Sequence, residues 1–226
     1  MKITFHGHSC FIIEFSDQTR AIIDPFITGN PLSDLKAEEV EVDYILLTHG
    51  HNDHVGDTEV IAKNNDAMII ANVELADYFE TKGYTTHGLN TGGGYHFPFG
   101  YVKSTIAFHS SSYTLDTGER IPMGVAGGFL IKAEGKIIYH AGDTALFSDM
   151  RCLSEEGRID IAFLPIGDNY TMGPKDALKA CNYLQPRKMV PMHYNTFDVI
   201  KQDPNQLKEY LPKVVHVLEV GQSIEP

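Results

Sequence analysis

Short apolar runs, each closed by a polar or glycine-containing segment, recur along the chain and predict strands joined by tight turns. The run from Tyr44 to Leu47 is the clearest, because four apolar or aromatic residues follow one another before a polar segment. Similar runs, or apolar–polar alternation, predict further strands at 3–15, 20–25, 68–71, 102–109, 127–132, 136–139, 188–193 and 214–218. We expect the first two of these to form a hairpin that turns at Asp17–Gln18.

Helical patterns are confined to segments between these strands. Residues 57–63 have a helical composition, and 74–82 carry apolar residues on one side. A third helix is expected to begin at Pro174, since proline suits the first helical turn. Residues 33–42 predict a loop or a short helix, and the glycine-rich segment 90–100 predicts a loop or a hairpin turn.

One pattern from the first half of the chain returns in the second half. The segments 43–51 and 160–168 each begin with Asp, continue as an apolar strand and end in a glycine-containing polar loop. We therefore expect one domain, 1–226, built from two related halves of about 1–110 and 111–226. Neither half can cover its own sheet, so the predicted class is α/β (α+β), with two sheets packed face to face and helices outside.

Composition limits the compartment and the partners. The formal net charge of −12 disfavours a nucleic-acid backbone as a partner, although metal ions in a nuclease site can invert the local field. The thiols of Cys10, Cys152 and Cys181 form no Cys-X-X-Cys pair and predict reduced, mostly buried residues. Neither a targeting segment nor a membrane-spanning run is recognisable. We expect a cytoplasmic protein without a membrane partner.

Three histidines and one aspartate lie within six residues directly after the strand predicted at 44–47. These four residues are His49, His51, Asp53 and His54. A single histidine is more often a surface or satisfied core residue than a ligand, but four donors this close together favour a metal site. Gly50 and Asn52 suit a tight loop better than a helix interior. Histidine and aspartate together favour zinc, manganese, iron or nickel over a metal that prefers thiolates.

Further candidate ligands follow apolar runs elsewhere in the chain. His109, Asp143 and His193 each come at the end of a predicted strand, and they are spread over both halves. Each alone could equally be a structural residue. Because open sheets carry their sites at the carboxyl ends of strands, the three together strengthen the prediction of one shared site.

The segment His49-Gly50-His51-Asn52-Asp53-His54 resembles the His-X-His-X-Asp-His motif of the metallo-β-lactamase superfamily at every specified position. The later His109, the Asp143 of Ala-Gly-Asp-Thr and the final His193 follow the order of that superfamily across nearly the whole chain. The segments 7–11 and 23–25 look like the branch of uncharacterised metal-dependent hydrolases related to ascorbate-phosphate lactonase.

The resemblance implies an αββα sandwich that holds two metal ions in one cleft. It implies a first ion held by three residues: His49, His51 and His109. It implies a second ion held by Asp53, His54 and His193, with Asp143 as a bridge between the ions. Asp53 and Asp143 are the catalytic candidates, and Asp53 or a water would relay the proton.

Four weaker candidates lie outside this ligand set. Asp24 could accept a hydrogen bond from a ligand imidazole, or it could belong to an ordinary Asp-Pro turn. His8 could line the cleft or be purely structural. Asn169 and Asn195 lie in segments where loops could contact a substrate. His140 precedes Asp143 but could face the core, so it is left out of the site.

Together these features predict a binuclear metal-dependent hydrolase that uses a metal-bridging hydroxide on a small ester or lactone. Two divalent transition-metal ions are expected, with zinc favoured over manganese, nickel or iron. The alternatives are a phosphodiesterase or nuclease, and a non-catalytic metal-binding protein. No Gly-X-Ser-X-Gly motif supports serine catalysis. The expected partner is a small-molecule substrate, and an exposed edge strand could pair chains into a homo-oligomer.

Overall fold

The computed structural model describes residues 1–226, and its strands form two large sheets and one small ribbon. The strands of the first sheet are β1 (Lys2–Phe5), β2 (Phe11–Glu14), β3 (Arg20–Ile23), β4 (Tyr44–Leu46), β5 (Met68–Asn72), β6 (Thr86–Leu89) and β15 (Ser223–Ile224). Their order in space is β15-β1-β2-β3-β4-β5-β6. The last strand of the chain therefore returns to the sheet that the first strand began.

The second sheet is formed by strands from the middle of the chain. These are β7 (Gly94–Phe97), β8 (Gly100–Ile106), β11 (Gly127–Ala133), β12 (Lys136–His140), β13 (Ile161–Pro165) and β14 (Lys188–Met192). Their order in space is β14-β13-β12-β11-β8-β7. A separate ribbon pairs β9 (Ser112–Thr114) with β10 (Arg120–Pro122).

The two sheets repeat one pairing pattern. In the first, β1, β2 and β3 are antiparallel neighbours, and β3, β4 and β5 are parallel neighbours. In the second, β8, β11 and β12 are antiparallel, and β12, β13 and β14 are parallel. The strands β4 and β13, which the sequence repeat relates, therefore occupy equivalent positions. The chain changes sheets between Leu89 and Gly94, and a division into halves near residue 110 stays a prediction.

Six helices accompany the sheets. They are α1 (Asn52–Val55), α2 (Thr58–Asn65), α3 (Val73–Thr81), α4 (Met150–Leu153), α5 (Pro174–Leu184) and α6 (Asn205–Tyr210). Short 3-10 turns lie at Ala37–Glu39, Ser154–Glu156 and Asp198–Ile200. The Asn72 side chain accepts a hydrogen bond from Leu75 N–H and so caps α3, while Pro174 occupies the first turn of α5 as predicted. None of these helices is long and apolar enough to cross a membrane.

Three apolar clusters separate four layers. The central cluster lies between the sheets, where Ile23 and Leu46 of the first sheet share a core with Phe163 of the second. The outer face of the first sheet packs on α2 and α3, and the outer face of the second packs on α4, α5 and α6. Burial of each large aliphatic side chain contributes about 1.5–3 kcal/mol, so the sandwich is stabilised chiefly by these three interfaces. The predicted αββα fold is confirmed.

Several predicted boundaries are wrong for local reasons. The segment 3–15 is two strands, because Gly7 and His8 have positive φ angles and turn the chain back between β1 and β2. The segment 90–100 does contain a hairpin turn, between β7 and β8, but its residues 94–97 are strand β7 itself. The strand expected at 214–218 makes only a single bridge, from Val215 to Met189, and the terminal strand is β15 instead.

Candidate metal centre

The candidate ligands gather at one edge of the sandwich, where parallel strands of both sheets end. His49 follows β4, Asp143 follows β12 and His193 follows β14. His109 follows β8, which lies in the second sheet beside β11. The structure thus brings residues from both sheets to one edge, as expected for sites at strand ends.

The histidine-rich segment is only partly the tight loop that its composition suggests. His49 and Gly50 are irregular, but Asn52–Val55 forms the one-turn helix α1, preceded by His51. Asp53 and His54 are consecutive residues of this turn, and both direct side chains towards the cluster. Gly56 ends α1 with φ 44° and ψ −126°, a conformation that side chains disfavour.

The first donor group consists of three imidazoles. His49 Nε2 lies 2.9 Å from His51 Nδ1, which lies 3.3 Å from His109 Nε2. Burial lowers the pKa of each of the three histidines. Neutral imidazoles whose nitrogens face one another at this distance are in the form that binds a metal ion. The outer nitrogen of His51, Nε2, lies 3.3 Å from Ser110 Oγ.

The second donor group combines carboxylates and imidazoles. One donor atom from each of His8, Asp53, His54 and His193 lies within 4.8 Å of the others. Asp143 lies between the two groups. Its Oδ2 is 2.9 Å from His193 Nε2 and 3.3 Å from His54 Nε2, but also 3.6 Å from His109 Nε2 in the first group.

Several buried donors make no well-aligned hydrogen bond within the protein, even where an imidazole nitrogen lies close to the Asp143 carboxylate. They are His54 Nε2, Asp143 Oδ1 and both ring nitrogens of His193. Buried polar atoms are normally satisfied, so this concentration of unsatisfied atoms needs an explanation. A divalent ion fits it, because the donor set is made of imidazole nitrogens and carboxylate oxygens.

The electrostatics of His54 also favour a cation at this position. Burial alone would lower the pKa of His54, but the carboxylates of Asp143 and Asp24 outweigh it and raise the pKa well above its usual range. Burial likewise opposes ionisation of Asp143, but the neighbouring His193 and His54 hold its pKa well below the usual range. The pocket therefore favours a positive charge between its carboxylates, and a metal ion supplies one.

Asp24 lies behind the donors and is hydrogen-bonded directly to one group and, through Thr48, to the other. Its Oδ2 accepts hydrogen bonds from Thr48 Oγ1 at 2.7 Å and from His54 Nδ1 at 2.8 Å. Because the Thr48 hydroxyl donates to Asp24, it accepts from His49 Nδ1 at 3.0 Å. Both His49 and His54 are thereby held with Nε2 turned towards the centre. No local pattern selects Thr48, apart from its place immediately before the first ligand.

The remaining weak candidates differ in burial and in their distance from the donor groups. His8 is fully buried, and its Nε2 lies 3.2 Å from Asp53 Oδ2. Asn169 and Asn195 are exposed, and neither lines the cavity over the donors. The Asn195 side chain instead accepts a hydrogen bond from the Gln202 N–H. His140 is buried in the core, where its Nε2 donates to the Ser9 carbonyl and its Nδ1 accepts from Gly142 N–H.

A cavity of about 500 Å³ opens over the donors. Its lining residues are His51, Asp53, His109, Ser110, Asp143, Tyr170, His193 and Phe197. No lysine or arginine lines it. Tyr170 belongs to the same segment as Asn169, which the sequence marks as a possible substrate contact. Sequence patterns did not select Ser110 or Phe197, although each lies close in the chain to a candidate residue. The cavity joins a polar floor of candidate ligands to aromatic side chains at its wall.

A four-layer sandwich with histidines and aspartates clustered at one edge defines a metallo-β-lactamase fold. The family model described as the beta-lactamase superfamily domain matches residues 2–193, and the chain belongs to that family. It is 57% identical over 225 residues to a UPF0173 metal-dependent hydrolase of Anoxybacillus flavithermus, with 100% of both chains covered. The chain is therefore a metal-dependent hydrolase of this superfamily.

Solved structures agree with this assignment. Igni18, described as a novel metallo hydrolase from Ignicoccus hospitalis, shares 37% identity with a TM-score of 0.89, covering 99% of this chain and 97% of the other. An isothiocyanate hydrolase from Delia radicum gut bacteria superimposes with a TM-score of 0.78 at 20% identity, covering 100% of this chain and 99% of that one. The second likeness shows the fold alone.

Proposed function

We propose that the chain is a binuclear hydrolase that cleaves a small, uncharged ester or lactone. The observation that carries the proposal is the position of Asp143, whose Oδ2 is 2.9 Å from His193 Nε2 and 3.6 Å from His109 Nε2. A carboxylate between two donor groups is suited to bridging two ions. The nitrogen-rich donor set favours zinc over manganese, nickel or iron.

The proposed assignment of residues follows the two donor groups. His49, His51 and His109 would hold one ion, and Asp53, His54 and His193 would hold the other. Bound ions of this kind supply a hydroxide nucleophile near neutral pH and polarise the scissile carbonyl. Asp24 and Thr48 orient the imidazoles through their hydrogen bonds.

Asp53 is the proposed proton acceptor. Its carboxylate lines the cavity beside the other proposed ligands, so a proton released there has Asp53 within reach, directly or through a water. Burial would raise the pKa of Asp53, but the hydrogen bond from His8 and the charge on His54 hold it well below its usual range. Asp53 is therefore ionised and able to accept a proton, but its lowered pKa makes it a weak base, so it would hold the proton only briefly before passing it to the leaving group.

The lining of the cavity supports the proposed substrate class. Tyr170 and Phe197 supply apolar surface, and no cationic side chain is present to pair with an anionic group away from the scissile bond. A cavity of about 500 Å³ fits a small molecule. The net charge of −12 further disfavours a polyanionic substrate. The three free cysteines, two of them buried, suit a reducing compartment such as the cytoplasm.

The test combines metal analysis with paired substrates. Metal-depleted protein is reconstituted with zinc, and its ion content is measured beside that of Asp143→Ala. Hydrolysis is then followed for neutral aryl esters and lactones, for phosphorylated analogues of each, for amides and for phosphodiesters. We expect two ions per parent chain, preference for the neutral members, and a loss in Asp143→Ala of at least about 10³-fold in kcat/KM.

Three results would contradict the proposal in different ways. One tightly held ion in the parent, together with full activity in Asp143→Ala, would remove the bridged mechanism. Phosphodiester cleavage that exceeds ester cleavage and disappears in His51→Ala would replace the substrate class with the nuclease alternative. Two bound ions without any hydrolysis would favour a metal-binding role.

A further inference from the structure

His8 is a buried histidine outside the proposed ligand set. It lies in the turn between β1 and β2 with φ 57°, and it is fully shielded from solvent. Its ring centroid is 4.0 Å from that of His193, and the rings of Phe26 and Phe197 meet it edge-on at 5.5 Å and 5.6 Å. The ring is therefore packed from several sides and has little freedom to rotate.

Both nitrogens of His8 have polar partners. Nδ1 lies 2.8 Å from Thr196 Oγ1, and Nε2 lies 3.2 Å from Asp53 Oδ2. An ionised carboxylate can only accept, so in a neutral imidazole the proton must be on Nε2. Nδ1 then accepts from the Thr196 hydroxyl, whose other acceptor, the Tyr194 carbonyl, is farther away at 3.5 Å. The hydrogen bonds therefore run in one direction, from Thr196 to His8 to Asp53.

The Asp53 side chain has few other contacts that would fix its orientation. It lies on the single turn of α1, where His51 contributes no side-chain cap, and its side chain is 29% exposed. His8 also accepts, through its carbonyl oxygen, a hydrogen bond of 2.8 Å from His193 N–H. His8 thus contacts two proposed ligands of the second ion. Asp53 lies beyond a strand of the first sheet, and His193 follows a strand of the second.

We propose that His8 is a positioning residue for the second ion. It donates Nε2–H to Asp53 Oδ2 and fixes the carboxylate as a ligand, and Thr196 sets the tautomer that permits this. The proposal rests on the binuclear function proposed above. Outer partners of metal ligands commonly change metal affinity by about 10–100-fold, which is the size of effect expected here.

Direct ligation by His8 is the competing arrangement. It would require the proton on Nδ1, and the Thr196 hydroxyl would have to turn to the Tyr194 carbonyl at 3.5 Å, which is too long for a good hydrogen bond. It would also add a donor to a group that already has Asp53, His54, His193 and the proposed bridge Asp143. The hydrogen-bonded arrangement uses the shorter contacts and needs no such change.

Two substitutions at His8 separate these roles. His8→Phe keeps a packed ring without nitrogens, whereas His8→Gln keeps an N–H donor that can reach Asp53. Metal-depleted proteins are titrated with Co²⁺ and followed by its visible absorption, which reads binding without turnover. We expect the second-ion Kd to rise about 10–100-fold in His8→Phe and only a few-fold in His8→Gln. The first-ion Kd should not change, because His49, His51 and His109 do not contact His8.

A second pair of substitutions, at Thr196, leaves the His8 imidazole in place. Thr196→Val removes the hydroxyl donor with little change of shape, and Thr196→Ser retains it. We expect a several-fold rise of the second-ion Kd in Thr196→Val and parent-like binding in Thr196→Ser. Circular dichroism of the metal-free proteins reports folding, and if His8→Phe does not fold, the Thr196 pair and His8→Gln decide.

The outcomes distinguish this proposal from the proposed function. If the parent binds two ions and His8→Phe binds the second equally well, the positioning role is wrong. If His8→Gln loses the second ion as fully as His8→Phe does, His8 is a ligand. Equal second-ion affinity in Thr196→Val and Thr196→Ser would remove Thr196 from the mechanism. A parent chain that binds one ion would overturn the binuclear function and, with it, the positioning role.

Discussion

Asp24 orients one imidazole of each donor group through a single buried carboxylate. Its Oδ2 accepts from His54 directly and, through the Thr48 hydroxyl, influences His49. Asp24 also has φ 47°, a left-handed conformation that aspartate and asparagine tolerate better than most residues. Both the acceptor chemistry and the backbone conformation therefore suit aspartate at this position.

Asp24→Asn should weaken metal binding while preserving the backbone. The amide keeps the shape of the side chain but replaces one acceptor oxygen with a donor, so His54 or Thr48 loses its partner. We expect a rise of about 10–100-fold in metal Kd by chelator competition, and a loss of about 1–3 kcal/mol in stability. Asp34→Asn is the control, because Asp34 is partly exposed and pairs with His6 away from the cluster. Unchanged Kd in Asp24→Asn would contradict the orienting role.

The sequence predicts the candidate ligands better than the residues that orient them by hydrogen bonds. Each predicted ligand follows an apolar run, so a local pattern sufficed to select it. The contact between His8 and Thr196 joins residues 188 positions apart, and no local pattern predicts it. The division of the ligands into two groups came from the family resemblance, since spacing alone does not state which side chains meet.

At the scale of elements, α1 depends on the glycine that ends it. A Cβ at Gly56 would lie 2.2 Å from the Pro25 carbonyl oxygen and 2.7 Å from Phe26 Cα. These are backbone atoms that cannot rotate away, and Asp53 and His54 are in the turn immediately before. The close approach of α1 to the segment after β3 therefore requires glycine.

Gly56→Ala should lower the free energy of unfolding by about 3 kcal/mol, from overlap and from a backbone conformation unfavourable to alanine. Urea unfolding of the metal-free protein measures this. Gly83→Ala is the matched control: Gly83 also has positive φ, but a Cβ there meets nothing within 4 Å, so about 1 kcal/mol is expected. Equal losses in the two variants would mean that the approach to Pro25 is not tight.

A second element-scale feature is the 3-10 turn at 154–156, which Glu156 fastens to the second sheet. Its carboxylate pairs with Lys103 of β8 and with Lys132 of β11, the latter at 2.8 Å. The hydrogen bonds from Lys103 and then Lys132 lower the pKa of Glu156 to about 2. Because the folded-state pKa is below the unfolded one, the stabilisation is present above the unfolded pKa and is lost as pH falls through the folded pKa.

Glu156→Gln should therefore destabilise the protein at neutral pH but not in strong acid. The side chain is 29% exposed, so the expected loss is only about 1 kcal/mol at pH 6, shrinking as the pH falls towards 2. Urea unfolding at several pH values gives the difference between parent and variant. Glu155→Gln, the exposed neighbour without an ion pair, should show no such trend. A difference that stays constant with pH would argue against the ion pairs.

The elements that the sequence missed are short or lie at sheet edges. β6, β9 and β10 have three or four residues with little burial, so apolar periodicity is absent. The long buried strands and α5, whose apolar stripe is wide, were predicted close to their observed bounds. The terminal strand β15 has only two residues, and the more apolar segment 214–218 was favoured in its place.

At the scale of the whole molecule, the two ends of the chain close the first sheet. Ile224 of β15 pairs with Ile3 of β1, and Phe5 exchanges backbone hydrogen bonds with Gly221 and Gln222. Ile224 is only 9% exposed and adds to the core between the sheets. Without β15, strand β1 would become an open edge.

Truncation after Val220 should lower the free energy of unfolding by about 2–4 kcal/mol, from the lost burial of Ile224 and the lost backbone hydrogen bonds. It should also promote aggregation through the open edge of β1, which light scattering can follow. Removal of Glu225 and Pro226 alone is the control. It ends only an exposed contact of Lys188 with the Glu225 carbonyl, so a change below about 1 kcal/mol is expected. Similar losses from both deletions would contradict the role of β15.

The candidate donors are divided between the sheets, with His49, His51, Asp53 and His54 on one and His109, Asp143 and His193 on the other. An ion held by both sets binds the assembled sandwich and has far weaker partners in an unfolded chain. By mass action, free metal at 100 times its Kd adds about 2.7 kcal/mol to stability. We therefore expect the supply of metal to change the stability of the protein as well as its activity, with metal-starved protein the more readily degraded.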